Sequence, residues 1–137
     1  MEPIIVRKSE STKVKWPGGG EGWVLASPSL CATAFLYAGI EYVKPGESPH
    51  RWHSHDYDKG DKFEVIYPKD FEEVYIIIEG QGILYYDVDG RKVHKKVDEG
   101  DAVFFPHGMA KHELVNTGTK TMILVFAGAP PPTIREA

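Results

Sequence analysis

Three of the six histidines in this 137-residue chain lie within "SPHRWHSH", residues 48–55, as His50, His53 and His55. In extended backbone, residues two apart point to one side, so His53 and His55 can bring two ring nitrogens to a point about 2 Å away, as a divalent metal requires. His50 falls off that alternation. It is expected at the edge of such a site, solvent-facing or just behind the ligands, where a ring titrating near neutral pH could orient a ligand or pass a proton. Two surface histidines on one strand face would read the same way, so the pair alone does not decide the chemistry. Further along, "EEVYIIIEGQG" runs from carboxylates straight into a β-forming segment, a costly place for a charge unless something binds it. Glu73 shares its face there with Tyr75 and Ile77. In "GDAVFFPHGMAKHELVN" a strand ends at Pro106-His107-Gly108, and after a turn His112 starts another.

These side chains need a scaffold, and the sequence around them reads as all-β: short runs of valine, isoleucine, tyrosine and phenylalanine separated by glycine, proline and aspartate. The clearest unit is "GILYYDVDGRKVHKKV", where Asp89-Gly90 is the pair favoured in a two-residue type I′ turn. That turn sets Val88 opposite Arg91, Asp87 opposite Lys92, Tyr86 opposite Val93 and Tyr85 opposite His94. Other strands are expected at 35–43, 73–79, 102–105, 113–115, 121–126 and 22–26, and no long window keeps helical periodicity. "KWPGGGEGW", residues 15–23, lacks the Gly-Lys-Ser/Thr ending of a phosphate loop and reads as a flexible turn. The tail "APPPTIREA", residues 129–137, carries three consecutive prolines, so the packed region is expected to end near Gly128, the tail lying loose or against a neighbour.

Composition narrows the function. A chain of 137 residues with 42% hydrophobic residues supports one core, hence one domain over 1–137. Sixteen basic and twenty acidic residues are mixed along it for a net charge of -4, without the basic stripe that nucleic acid demands. No apolar run approaches the roughly 20 residues of a membrane span. Cys31 has no partner for an internal disulfide, and "MEPIIVRKSE" is unlike a signal peptide, so a cytoplasmic protein is expected.

Taken together, the motifs resemble the cupin superfamily. Its first motif reads here as Gly46, His53, His55, Glu73 and Gly80, and its second as Gly100, Pro106, Gly108, His112 and Asn116, covering 46–80 and 100–116. Three departures stand out. Seventeen residues, 56–72, separate His55 from Glu73 where the family usually has three or four, which brings Glu64 and Glu72 forward as competitors. Glu72 has the wrong strand parity relative to Gly80, and Glu64 lies within the insertion, so Glu73 is preferred. Three residues between Gly108 and His112 are one more than usual, leaving His107 as a stand-in, and the gap from Gly46 to His53 is also one residue long.

The resemblance implies a single cupin barrel, a jelly-roll-like double-stranded β-helix, in which His53, His55, Glu73 and His112 hold one divalent transition metal. Three imidazoles and a carboxylate suit Mn, Fe, Co, Ni or Zn. It further implies a metal-dependent enzyme acting on a small oxygen-rich molecule, of isomerase or lyase type or a dioxygenase, with a non-catalytic metal- or ligand-binding module as the alternative. His50 and Tyr75 are candidates for supporting positions around the metal. Trp52 and Phe105, with Tyr57, Tyr67 and Phe71 of the insertion, are candidate lining or core residues, and the insertion reads as a loop over the barrel mouth with a short strand. Small cupins commonly dimerise by lending an N-terminal strand, and "PIIVRK" offers apolar residues for such a homodimer.

Overall fold

Alternation of apolar and polar residues produces strands almost throughout the computed structural model, which describes residues 1–60 and 63–136. The strands are β1 (Lys13–Lys15), β2 (Glu21–Ala26), β3 (Tyr37–Val43), β4 (Tyr57–Gly60), β5 (Phe63–Ile66) and β6 (Glu72–Glu79) in the first half. The second half supplies β7 (Gln81–Val88), β8 (Arg91–Asp98), β9 (Ala102–Phe105), β10 (His112–Asn116), β11 (Met122–Ala129) and β12 (Thr133–Glu136). Helical backbone among the described residues is limited to a 3-10 turn at Lys8–Glu10 and one turn at Pro28–Cys31.

The strands form a six-stranded sheet in the order β1-β2-β3-β11-β6-β9, a three-stranded sheet β10-β7-β8, and a small sheet β12-β5-β4. The first two bury their inner faces in one core, with Ile77 and Leu124 of the large sheet against Leu84 and Leu114 of the other. Strict alternation on β3 turns Tyr37, Gly39, Glu41 and Val43 inward. On β6 the same alternation buries Glu73, Tyr75 and Ile77 and leaves Glu72 outside. Gly39 is required where β3 crosses beneath Phe126, since a Cβ there would lie 2.0 Å from the Trp23 carbonyl oxygen and 2.5 Å from Phe126 Cζ.

The β7–β8 hairpin has the register expected from its turn, with Val88 opposite Arg91 and Asp87 opposite Lys92. Asp89 and Gly90 both have positive φ, 49° and 77°, which explains the Asp-Gly pair. Residues 17–20 make the expected glycine turn, closed by Trp16 N–H to the Gly20 carbonyl.

Three expectations are corrected. The tail after Gly128 is neither loose nor laid against a neighbour: Pro130–Pro132 interrupt the ladder, but Thr133, Ile134 and Arg135 have free N–H groups and pair with β5. The 56–72 insertion is a two-stranded hairpin, β4 against β5, with Tyr57 opposite Ile66 and its tip residues 61–62 outside the described residues. His53 and His55 lie in a loop rather than in a strand, where a single antiparallel bridge joins His53 to His112.

The insertion is anchored where it rejoins β6. Phe71 is 1% exposed and packs on Tyr37 and Tyr67. Phe71→Ala is expected to lower stability by about 3–5 kcal/mol, as for other fully buried aromatics. A denaturant midpoint unchanged from wild type would show that the insertion is not anchored to the core through this ring.

Candidate metal centre

His53 is positioned by backbone pairing, its N–H donating to the His112 carbonyl at 3.1 Å and the His112 N–H donating back at 2.8 Å. This reciprocal bridge ties the loop carrying the histidine pair to the first residue of β10. The ligand-type nitrogens of His53, His55 and His112 all lie within 4.8 Å of one another. Glu73 of β6 adjoins the cluster on one side, with Oε1 3.4 Å from His55 Nε2, a contact too poorly aligned for a hydrogen bond.

Two of the rings are oriented by main-chain acceptors. His53 Nδ1–H donates to the Arg51 carbonyl at 2.6 Å and His112 Nδ1–H to the Ala110 carbonyl at 3.2 Å. Each therefore turns its Nε2 toward the shared centre. His112 Nε2 and both nitrogens of His55 are buried without a hydrogen-bond partner. Buried polar atoms are rarely left so, and three convergent neutral imidazoles beside a carboxylate match the donor set of a divalent transition metal. Phe105 stacks on His112 with ring centroids 4.3 Å apart, and Phe71 and Tyr67 flank His55 at 5.1 and 5.0 Å.

His50 is buried rather than solvent-facing, at 5% exposure, and its ring stacks on His53 with centroids 3.7 Å apart. Its Nε2 lies 2.5 Å from Asp58 Oδ2, and the Arg51 guanidinium grips both oxygens of Asp58 at 2.7 and 2.8 Å. Burial pushes the Asp58 pKa up, but the hydrogen bonds from His50 and Arg51 outweigh it and hold the carboxyl well below its usual range. Tyr75 lines the adjoining cavity, as its inward parity on β6 implies. Glu64 instead faces Arg135 of β12 at 3.5 Å, and His107 is exposed. Trp52 turns away from the centre to sit under Lys92 of β8, and Tyr57 is 53% exposed.

Sequence reasoning missed Glu41 and Asp58. Glu41 had a signal, since "YAGIEYV" places it on the inward face with Tyr37 and Val43. Asp58 had none, because an insertion's partners depend on where its hairpin folds back.

A sequence model of the cupin domain matches residues 57–128, more than half of the chain. This chain belongs to the cupin family. The matched span holds Glu73 and His112 and begins just after the histidine pair of this cupin. Among solved structures, a predicted oxalate decarboxylase from Thermotoga maritima aligns at TM-score 0.65 and 21% identity, over 93% of this chain and 100% of that one. The polyketide cyclase RemF from Streptomyces resistomycificus aligns at 0.65 and 18%, over 100% and 85%. A Cupin 2 conserved barrel domain protein from Salinispora arenicola aligns at 0.60 and 19%, over 93% and 87%. These likenesses show the cupin β-barrel fold. A search of curated protein sequences finds no match. No helix among the described residues is long and apolar enough to cross a membrane.

The buried groups predict how the metal-free protein responds to pH. Burial, helped by neighbouring histidines, lowers His55 from 6.5 to about 3, and burial lowers His112 to about 4. The unfolded chain takes up those protons first, so this contribution to stability is present above about pH 6.5 and is lost as pH falls toward 4 and 3. Burial raises Glu73 from 4.5 to about 8. The folded state holds that proton longer, so stability declines as pH rises from about 4.5 to 8. Denaturant midpoints of the metal-free protein are therefore expected to peak at about pH 6.5, where the two histidine slopes and the Glu73 slope cancel. Glu73→Gln should flatten the alkaline limb, and an undiminished decline in that variant would assign the limb to another group.

Proposed function

We propose that this cupin is a metal-dependent enzyme that binds one divalent transition metal through His53, His55, His112 and Glu73 and acts on a small oxygen-rich molecule. The observation that carries the reading is the set of buried, partnerless ring nitrogens converging within 4.8 Å. A barrel that bound no metal would gain stability by filling this space with apolar side chains, since each unpaired buried polar atom costs about 1–3 kcal/mol.

A metal held there would supply Lewis-acid polarisation of a bound oxygen, or a site for oxygen activation if it is iron. The chain's own residues perform the remaining work. The carbonyls of Arg51 and Ala110 hold His53 and His112 with Nε2 inward. Phe105, Phe71 and Tyr67 close the apolar side and exclude water. The pocket outside His55, lined by Ser54, Asp56, Tyr67, Lys69 and Met109, is the route by which a small molecule reaches the centre. The reaction type, isomerase or lyase on one hand and dioxygenase on the other, follows from the native metal. Redox-inert zinc in the purified protein would remove the dioxygenase.

Substituting His53, His55 and His112 together by Ala is expected to abolish metal binding while the barrel stays folded by circular dichroism. A full metal equivalent in that variant would overturn the assigned centre. Glu73→Gln should weaken metal binding at least tenfold and Glu72→Gln should not, because Glu72 faces solvent. With Glu73 raised to about 8 and the histidines neutral, metal uptake at pH 7 should release about one proton. Calorimetry in buffers of different ionisation enthalpy measures it, and no release would exclude Glu73 as the carboxylate ligand.

The proposal includes a homodimer in a reducing compartment such as the cytoplasm, in keeping with the single cysteine, Cys31. Ile4 and Ile5 are 64% and 71% exposed, and Ile76, Ile78 and Phe104 lie uncovered on the outer face of the large sheet. Light scattering at micromolar concentration should report twice the 15.3 kDa chain mass. A monomer would refute this part.

A further inference from the structure

Among the described residues, Glu41 is a buried carboxylate that neither the metal centre nor the Asp58–Arg51–His50 cluster employs. It is 3% exposed, sits mid-strand on the inward face of β3, and has neither a hydrogen bond nor an ion pair among the described residues. An acid in that position would ordinarily be replaced by an apolar residue or given a partner. Trp16 and Glu41 pack closely over β2. Gly22 of β2 lies directly opposite, and a Cβ there would come within 2.8 Å of Trp16 Nε1 and 3.3 Å of Glu41 Oε1. A small cavity is lined by Glu41, Trp16, His50, Tyr37, Tyr75 and Glu73, so Glu41 shares one space with the carboxylate proposed to hold the metal. The remaining space is that of about one water-sized group.

Charge decides what can enter. The cavity lining contains two carboxyls and no lysine or arginine. The cation nearest to hand, Arg51, is committed to both oxygens of Asp58, and Lys69 lies at the outer pocket instead. A hydroxyl is matched by Glu41 in either protonation state, because the carboxylate accepts its proton and the carboxylic acid both donates and accepts. A carboxylate is matched only by the protonated acid, and it brings a charge into space that offers no counter-ion. Burial raises the Glu41 pKa well above its ordinary value, with Glu73 adding to the effect, in agreement with an acid that has no cation near it.

We propose that Glu41 is the specificity-determining residue of this site, receiving in the cavity it shares with Glu73 an uncharged hydroxyl of a molecule seated on the metal and rejecting a carboxylate in its place. The proposal rests on the metal-site reading and narrows its substrate class to small hydroxylated compounds rather than dicarboxylates.

The test uses the Co2+-loaded protein and two probes that share an α-hydroxycarboxylate end. Glycerate ends in a hydroxymethyl group, and tartronate ends in a second carboxylate. Affinities are read from the visible spectrum of the cobalt and by calorimetry. The intrinsic difference between the two chelators cancels when the glycerate-to-tartronate affinity ratio is compared between variants. That ratio should be about tenfold higher in wild type than in Glu41→Gln, whose amide can donate to a carboxylate, an effect of about 1.4 kcal/mol. Glu41→Met, of similar length but without polar oxygens, should lose about tenfold in glycerate affinity while both variants take up one Co2+. A ratio unchanged within twofold overturns the proposal. Co2+ binding without glycerate binding overturns it and leaves the metal reading standing, whereas failure of the wild type to take up Co2+ overturns both.

Discussion

The centre depends on one constraint: three imidazoles must be kept neutral and convergent inside a barrel that gives half of their nitrogens nothing to bond. Orientation comes from the main chain. Arg51 and Ala110 carbonyls capture the Nδ1 protons of His53 and His112, and the paired hydrogen bonds between the His53 and His112 backbones join the two segments. Neutrality comes from burial, which lowers all three pKa values. The resulting site is destabilising by itself, and the aromatic packing of Phe71, Tyr75 and Phe105 offsets it.

Around this centre the long insertion acts as structure. Its hairpin recruits the C-terminal strand β12 to form a third sheet, and it delivers Asp58 to a position where Arg51 and His50 both bind it. Arg51 thus serves twice, its side chain gripping the insertion and its carbonyl orienting His53. A change in the hairpin is thereby coupled to the ring behind which His50 is stacked. The polar groups nearest the centre are consequently arranged in two sets. One set, the histidines and Glu73, converges on a point, and the other, Asp58 with Arg51 and His50, is fully engaged in holding the loop.

Much of this was legible in the chain itself. Strand alternation determined the inward parity of Glu73 and Tyr75 and the outward parity of Glu72, because a β-strand has only two faces and one was buried. Asp89-Gly90 determined the hairpin register, because few residue pairs accept two consecutive positive φ values. The His-x-His spacing and the later histidine pointed to a metal site before any fold was known, although His53 and His55 prove to lie in a loop, where the strand period does not apply and the His53–His112 bridge does the positioning. Glu41 obeys the same strand parity and was legible in principle.

What only the tertiary structure decided involves contacts between segments far apart in the chain, for which a strand's local period carries no information. The pairing of residues 133–136 with the insertion depends on an open edge of β5 that no local pattern announces. The burial of His50 depends on Asp58 folding back eight residues later, and whether Glu41 has a partner depends on which side chains line the small cavity around it. Sequence determined which side of each strand a residue would occupy. Only packing decided whether a buried polar group there would find a partner, because that depends on the three-dimensional neighbours that exclude water from it.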